Sequence, residues 1–67
     1  MKIIVNLDVV LAQRKMKLKD LSEKVGISVT NLSLLKTGKA RGIRFQTLML
    51  ICDALDCQPG DILAFEK

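Results

Sequence analysis

The sequence predicts a single, mainly α-helical domain with a short β-strand at its N-terminus and, as one alternative, another at its C-terminus. Its 67 residues are enough for one domain, and a chain of this length buries only about 60% of the surface that it exposes when unfolded. Two residues are Phe and none is Trp or Tyr, so the core must be aliphatic. Apolar residues recur at helical spacing in several segments. We therefore expect closely packed helices, or stabilisation by a second subunit.

The first segments in chain order are a strand and a helix. "KIIVNL" (2–7) is short and β-branched, which favours an edge strand. Asp8 is a suitable N-cap for a first helix that ends near "RKMK", where cations suit a helix C-terminus.

Two short helices are then predicted over about 17–25 and 28–37. In the first of them Leu18, Leu21 and Val25 fall on one face, and Gly26 is the stop signal. Ser28 is a good N-cap for the second, whose apolar positions Leu32 and Leu35 point inward.

The remaining segments are "FQTLMLICDALD", "PGDIL" and "AFEK". The first predicts a fourth helix with a buried apolar stripe, and Pro59 suits the first position of a last short helix. "AFEK" is either a frayed tail or a strand that pairs with residues 2–6.

The two middle helices have the spacing of a helix-turn-helix. A turn of about three residues that contains Gly26 separates them. Ser22 is the small residue required where the helices cross closely, and apolar residues lie on both sides of the turn: Leu21, Val25, Ile27, Leu32 and Leu35. The alternative is an ordinary helical hairpin in a small bundle.

The basic charge is concentrated in the middle of the chain. Residues 14–44 hold nine Lys or Arg and two acids, whereas residues 45–67 hold one Lys and four acids. This distribution favours a polyanionic partner for the middle segment, although a basic face without a partner explains the charge equally well.

The surface of the third helix is uncharged where solvated helices usually carry Glu and Lys. Short polar side chains of this kind reach base edges in a DNA major groove, where Asn suits adenine and an apolar group suits the thymine methyl. No acidic residue lies between Glu23 and Asp53, so this segment carries no negative charge that would repel phosphate. The candidate base-contacting residues are Ser28, Val29, Thr30, Asn31 and Ser33.

The stretch "TGKARGIRF" (37–45) follows that helix. It fails the Walker motif, because Ser33 stands at the first Gly position and Ala40 at the hydroxyl position. A flexible linker is disfavoured as well, since Ile43 and Phe45 are expected to anchor it. We interpret it as a fixed loop that presents cations to the DNA backbone.

Enzyme and RNA-binding functions have little support. The chain has no His, and its carboxylates are scattered rather than paired, so we expect no catalytic site, metal or cofactor. Two Phe are poor material for stacking RNA bases. Cys52 and Cys57 are expected to be reduced, mostly buried thiols.

The segments "LKDLSEKVGISVTNLSLLKTGKA" and "IRFQTLMLICDALDCQPGDIL" resemble the phage-repressor-like helix-turn-helix regulators (Xre, Cro/CI-type), especially very small Gram-positive members. The resemblance covers roughly residues 9–63. It implies a five-helix, lambda-repressor-like fold whose third helix reads the major groove, usually as a homodimer on pseudo-palindromic DNA. It places phosphate contacts on Lys17, Lys19, Lys39, Arg41 and Arg44, and we expect Lys36 to contact phosphate as well.

The chain departs from this family in three places. Leu18 stands where many relatives have Gln and cannot hydrogen-bond a phosphate. Leu34 stands at an often polar position and is a candidate for a protein contact instead. The usual Pro after the third helix is missing, with Gly42 and Ile43 in that region.

The resulting hypothesis is a cytoplasmic, nucleoid-associated regulator of transcription that binds double-stranded DNA. We expect a repressor and a homodimer, in which the apolar segments "KIIVNL" and "DILAF" could pair between subunits. No membrane partner is expected, because no apolar run approaches the ~20 residues of a membrane span. No small-molecule ligand is expected either. The alternative is a protein-interaction adaptor of the same fold, antitoxin-like or binding RNA polymerase or its sigma factor.

Overall fold

A computed structural model describes all 67 residues and contains five helices and two short strands. The mainly helical fold with a strand at each end is confirmed. In chain order the elements are β1 (Lys2–Val5), α1 (Leu7–Gln13), α2 (Leu18–Val25), α3 (Val29–Lys36), α4 (Phe45–Leu55), α5 (Pro59–Ile62) and β2 (Leu63–Glu66).

The core is entirely aliphatic, as the sequence predicts. Every helix contributes to it, so no helix can leave without exposing leucine, isoleucine or valine. Its ten buried residues are Leu7, Val10, Leu11, Leu21, Leu32, Leu35, Leu48, Ile51, Leu55 and Ile62. Both Phe residues lie outside this core, because the inward positions of their elements are filled by aliphatic side chains.

The two ends of the chain pair with each other. β1 and β2 are antiparallel, with a register that runs from Lys2 opposite Glu66 to Val5 opposite Leu63. The C-terminal segment is therefore a strand and not a frayed tail. Pairing lies within one chain, so these strands are already joined without a second subunit.

The start of α1 differs from the sequence prediction. The helix begins at Leu7 after Asn6, whereas Asp8 lies inside the first turn and does not cap it. A carboxylate in the first turn still interacts favourably with the helix dipole, which explains why an acid occurs there.

The end of α4 is closed by the side chain of Arg14, the residue that follows α1. Arg14 Nε donates to the carbonyl oxygen of Leu55 at 2.6 Å, and Nη2 donates to that of Asp56 at 3.0 Å. Carbonyls at a helix C-terminus lack intrahelical donors, so this cation satisfies two of them. Arg14 is therefore used for folding rather than for the basic surface.

Cys52 and Cys57 are free thiols and half-buried. The N–H of Cys57 donates to the carbonyl of Cys52 at 3.0 Å, and that of Asp56 to Asp53 at 3.3 Å. These two bonds, with Asp56 at φ +50°, form a Schellman-type helix end. Burial raises the pKa of the Cys57 thiol, and the adjacent Cys52 raises it further.

None of the helices is long and apolar enough to cross a membrane.

Candidate nucleic-acid interface

The turn between α2 and α3 has the hydrogen bonds that a helix-turn-helix needs. Ser22 Oγ donates to the carbonyl oxygen of Ile27 at 2.6 Å, which ties the end of the turn to α2. Gly26 has φ +72°, and a Cβ added there would meet no atom within 4 Å. Glycine is therefore favoured by backbone conformation and not by lack of space. Leu21 and Leu32 are fully buried between the two helices.

The first turn of α3 is fixed by Ser28. Its Oγ accepts the backbone N–H of Asn31 at 3.1 Å, as expected of an N-cap. With one lone pair used by this bond, the Ser28 hydroxyl retains its hydrogen and a second lone pair for another partner. The side chains of Val29, Thr30 and Asn31 follow directly and are exposed.

The outward face of α3, which we define as Val29, Thr30, Ser33 and Leu34, carries no charge. It lies opposite the buried Leu32 and Leu35. Ser33 is half-buried, so its hydroxyl is less accessible than the sequence suggested. Leu34 is 43% exposed and belongs to this face. Its spacing of four residues from Thr30 is the signal that could have placed it there.

The basic loop, residues 37–44, is held by the last turn of α3. The N–H groups of Lys39 and Ala40 both donate to the carbonyl oxygen of Leu34, at 2.9 and 3.1 Å. Thr37 Oγ1 donates to the carbonyl of Ser33 at 2.9 Å. Gly38 supplies the left-handed turn at φ +76°. These bonds set the first cation of the loop beside the helix.

The apolar anchoring of this loop is only partly as predicted. Ile43 is half-buried and packs against the core, which fixes the end of the loop. Phe45, by contrast, is 83% exposed, so its predicted role as an anchor is wrong. Leu48, one turn further along α4, is the buried residue at this end of the helix instead.

The predicted phosphate-binding cations are free of acidic partners. The single ion pair in the chain joins Lys2 and Glu66, at 3.6 Å. Lys36 is half-buried, and the other five cations are exposed: Lys17, Lys19, Lys39, Arg41 and Arg44.

The five exposed cations fall into two electrostatic settings. Lys17 and Lys19 lie at the start of α2, which also carries Asp20 and Glu23. The N–H of Lys17 donates to the Asp20 carboxylate at 3.2 Å. The basic loop has no acid in it or beside it in sequence. The loop is therefore the more strongly positive of the two.

A shallow groove separates α3 from the basic loop and the start of α4. Its lining includes Asn31 and Leu34 from α3, Ala40 and Arg44 from the loop, and Thr47 from α4. Asn31, a candidate for contact with bases, thus shares one groove with Arg44, a candidate for contact with phosphate. Lys17 and Lys19 lie outside it.

Leu18 packs against the core and is half-buried, which explains why an apolar residue is tolerated at the start of α2. The structure has no cluster of three or more His, Cys, Asp or Glu side chains that could hold a metal ion.

The model of the Cro/C1-type HTH DNA-binding domain matches residues 6–67. The chain belongs to this family of helix-turn-helix DNA-binding domains. It is 62% identical over its whole length to the uncharacterised HTH-type transcriptional regulator YozG of Bacillus subtilis (strain 168), and it spans 80% of that protein.

The same fold occurs in a Bacteroides fragilis protein named as a candidate DNA-binding protein. Its crystal structure superposes on the present chain with a TM-score of 0.83. The match covers 94% of the present chain and 100% of the Bacteroides fragilis chain. Identity between the two is 21%, so this Cro/C1-type fold tolerates extensive sequence change.

Proposed function

We propose that this DNA-binding transcriptional regulator represses its target genes by binding a pseudo-palindromic operator as a homodimer. The observation that carries the proposal is the juxtaposition at α3. An exposed helix face without charge lies beside a loop that is tied to α3 at its start and packs on the core through Ile43, and whose cations have no acidic partners. Major-groove readout needs the first feature and backbone attachment needs the second.

The two sets of residues have different roles in this proposal. Side chains at the start of α3 contact base edges and supply sequence preference: Ser28, Val29, Thr30, Asn31 and Ser33. Cations around the helix contact phosphates and supply affinity and orientation: Lys17, Lys19, Lys36, Lys39, Arg41 and Arg44. The basic loop contributes most of the affinity, because its cations form no ion pair and no acid lies near them in sequence.

Repression needs no contact with the transcription machinery itself. A protein that occupies promoter DNA can exclude RNA polymerase sterically, and we infer that this chain acts in that way. We also infer that it is located on the nucleoid.

The size of the molecule suits a dimer on adjacent half-sites. It measures 33 × 21 × 19 Å. Half-sites one helical turn apart are about 34–36 Å from centre to centre. Two copies can therefore lie side by side on one face of the duplex.

Fluorescence anisotropy with labelled duplex DNA at two salt concentrations tests DNA binding. We expect affinity to fall steeply as salt rises, because each phosphate contact releases counterions. Flat, weak binding at every salt concentration would contradict the proposal and favour the protein-interaction adaptor. Sedimentation of the saturated complex gives the stoichiometry, and one copy on the tightest-binding duplex would contradict the homodimer.

A further inference from the structure

The outward face of α3 presents methyl groups where many DNA-reading helices would present long donors. Val29 and Leu34 are 44% and 43% exposed, and Thr30 adds another methyl. Isolated exposed apolar residues are ordinary. Here two of them lie on the uncharged face of one eight-residue helix, next to the basic loop.

The positions of these methyl groups are fixed by backbone hydrogen bonds. Val29 follows the cap made by Ser28, so it lies in the rigid first turn. Leu34 is tied at its own carbonyl to the N–H groups of Lys39 and Ala40. A phosphate held by the loop would therefore leave the Leu34 side chain close to the neighbouring bases.

The side chains that discriminate guanine are missing from this face. Guanine is read chiefly by Arg or Lys, which donate to its O6 and N7. The only cation on α3 is Lys36, which is half-buried in the last turn and away from Val29 and Thr30. Asn31, exposed at the groove beside the basic loop, pairs with adenine. Among the four bases only thymine offers a methyl group in the major groove.

We propose that Val29 and Leu34 read thymine C5-methyl groups, so that the preferred half-site is rich in A·T pairs. This inference rests on the proposed DNA binding and specifies its sequence class. Apolar contact with these side chains removes each methyl from water when the complex forms. The free energy of transferring one carbon group of this size from water to an apolar environment corresponds to roughly a fourfold gain in affinity for each contacted methyl.

The test begins with selection of bound duplexes from random-sequence DNA by the full chain. We expect the enriched half-sites to be A·T-rich. The tightest duplex is then compared with copies in which thymine is replaced by uracil, which removes only the methyl. Uracil at contacted positions should weaken binding roughly fourfold per position. Uracil outside the half-sites is the control and should have no effect.

Variants assign the effect to individual side chains. At one contacted position, the Leu34→Ala variant should bind the thymine and uracil copies with more nearly equal affinity. The Val29→Ala variant should do the same at a different position. Arg44→Ala should weaken both copies equally and keep their ratio. Met49→Ala, an exposed apolar residue on α4, is the matched control and should change neither affinity nor ratio.

The outcomes separate this inference from the proposed function. Enrichment of G·C-rich half-sites, or a uracil copy that binds as tightly as its parent, would overturn the inference while leaving DNA binding intact. A ratio unchanged in both Val29→Ala and Leu34→Ala would also overturn it. Failure to enrich any duplex, with no salt-dependent binding, would overturn the function itself.

Discussion

Helices α3 and α4 share the core but differ in what they present to solvent. Leu32 and Leu35 of α3 are buried against α2 and α1, while Leu48, Ile51 and Leu55 of α4 close the other side. The solvent side of α3 combines hydroxyl and methyl groups and is followed by a loop with three cations. The solvent side of α4 exposes Phe45, Met49 and Leu50, and its C-terminal turn carries acids.

Both helices therefore contribute to stability, whereas their surfaces differ in what they offer to DNA. Residues 14–44 carry a net charge of +7, and residues 45–67 carry −3. A polyanion is attracted to the first segment and repelled by the second, although both contribute buried leucines. Substitutions in the core should therefore have similar effects in both helices, whereas surface substitutions should affect binding at α3 and its loop but not at α4.

The largest expected effect concerns the shared core. Leu32→Ala and Ile51→Ala should each lower the free energy of unfolding by about 2–5 kcal/mol, because each side chain is fully buried and truncation leaves a cavity. Urea unfolding measures this. Leu34→Ala is the exposed control and should change stability much less. A loss confined to one of the two helices would refute their equal share in the core.

Base contact is the next effect in size. Asn31→Ala should weaken binding to the selected duplex by about 1–3 kcal/mol and change binding to unrelated duplexes little. Competition titrations with the two duplexes measure the ratio. Gln13→Ala, an exposed amide on α1, is the matched control. If Asn31→Ala binds the selected duplex normally, α3 does not enter the groove as proposed.

Phosphate contact should follow the charge difference between the segments. Arg44→Ala and Arg41→Ala should weaken binding to all duplexes and reduce the slope of log affinity against log salt by about one each. Lys67→Ala removes an exposed cation from the acidic segment and should leave the slope unchanged. Equal slopes for Arg44→Ala and Lys67→Ala would mean that the basic loop does not contact the backbone.

Substitutions of the left-handed residues that end α2 and α4 should give the smallest changes in the free energy of unfolding, and the two changes should have opposite signs. Gly26→Ala places a Cβ at φ +72° and should cost about 1–2 kcal/mol. Asp56→Gly removes a Cβ at φ +50° and should stabilise the fold by up to about 1 kcal/mol. Thermal unfolding measures both changes. A destabilised Asp56→Gly variant would show that the Asp side chain contributes more than its backbone conformation costs.

Much of the helical architecture could be predicted because its signals are local. Gly26, Ser28 and Pro59 each mark a helix end within one turn of where it occurs. The helix-turn-helix could also be predicted, since Ser22 and Gly26 serve it through contacts within five residues.

The errors arise where distant parts of the chain decide the structure. Arg14 reaches carbonyl groups more than forty residues away, which no local pattern predicts. Phe45 is predicted from its apolar side chain to anchor the basic loop, but aliphatic residues of several helices already fill the core and it is exposed. Asp56 ends α4 in a left-handed conformation without the usual glycine.

Within the candidate site, exposure of Val29, Thr30 and Asn31 agrees with the sequence analysis. The contribution of Leu34 to the same face was not anticipated, because its residue type suggested a protein contact. The contacts of individual residues with bases and phosphates stay predictions.

The pairing of β1 with β2 has a consequence for the order of folding. Its partners are about sixty residues apart, so the strands close the longest loop in the molecule. The helices can assemble through much shorter loops, whose entropic cost is smaller. We therefore expect the sheet to form after the rate-limiting step. Weakening it, for example with Ile4→Ala, should accelerate unfolding and leave the refolding rate nearly unchanged.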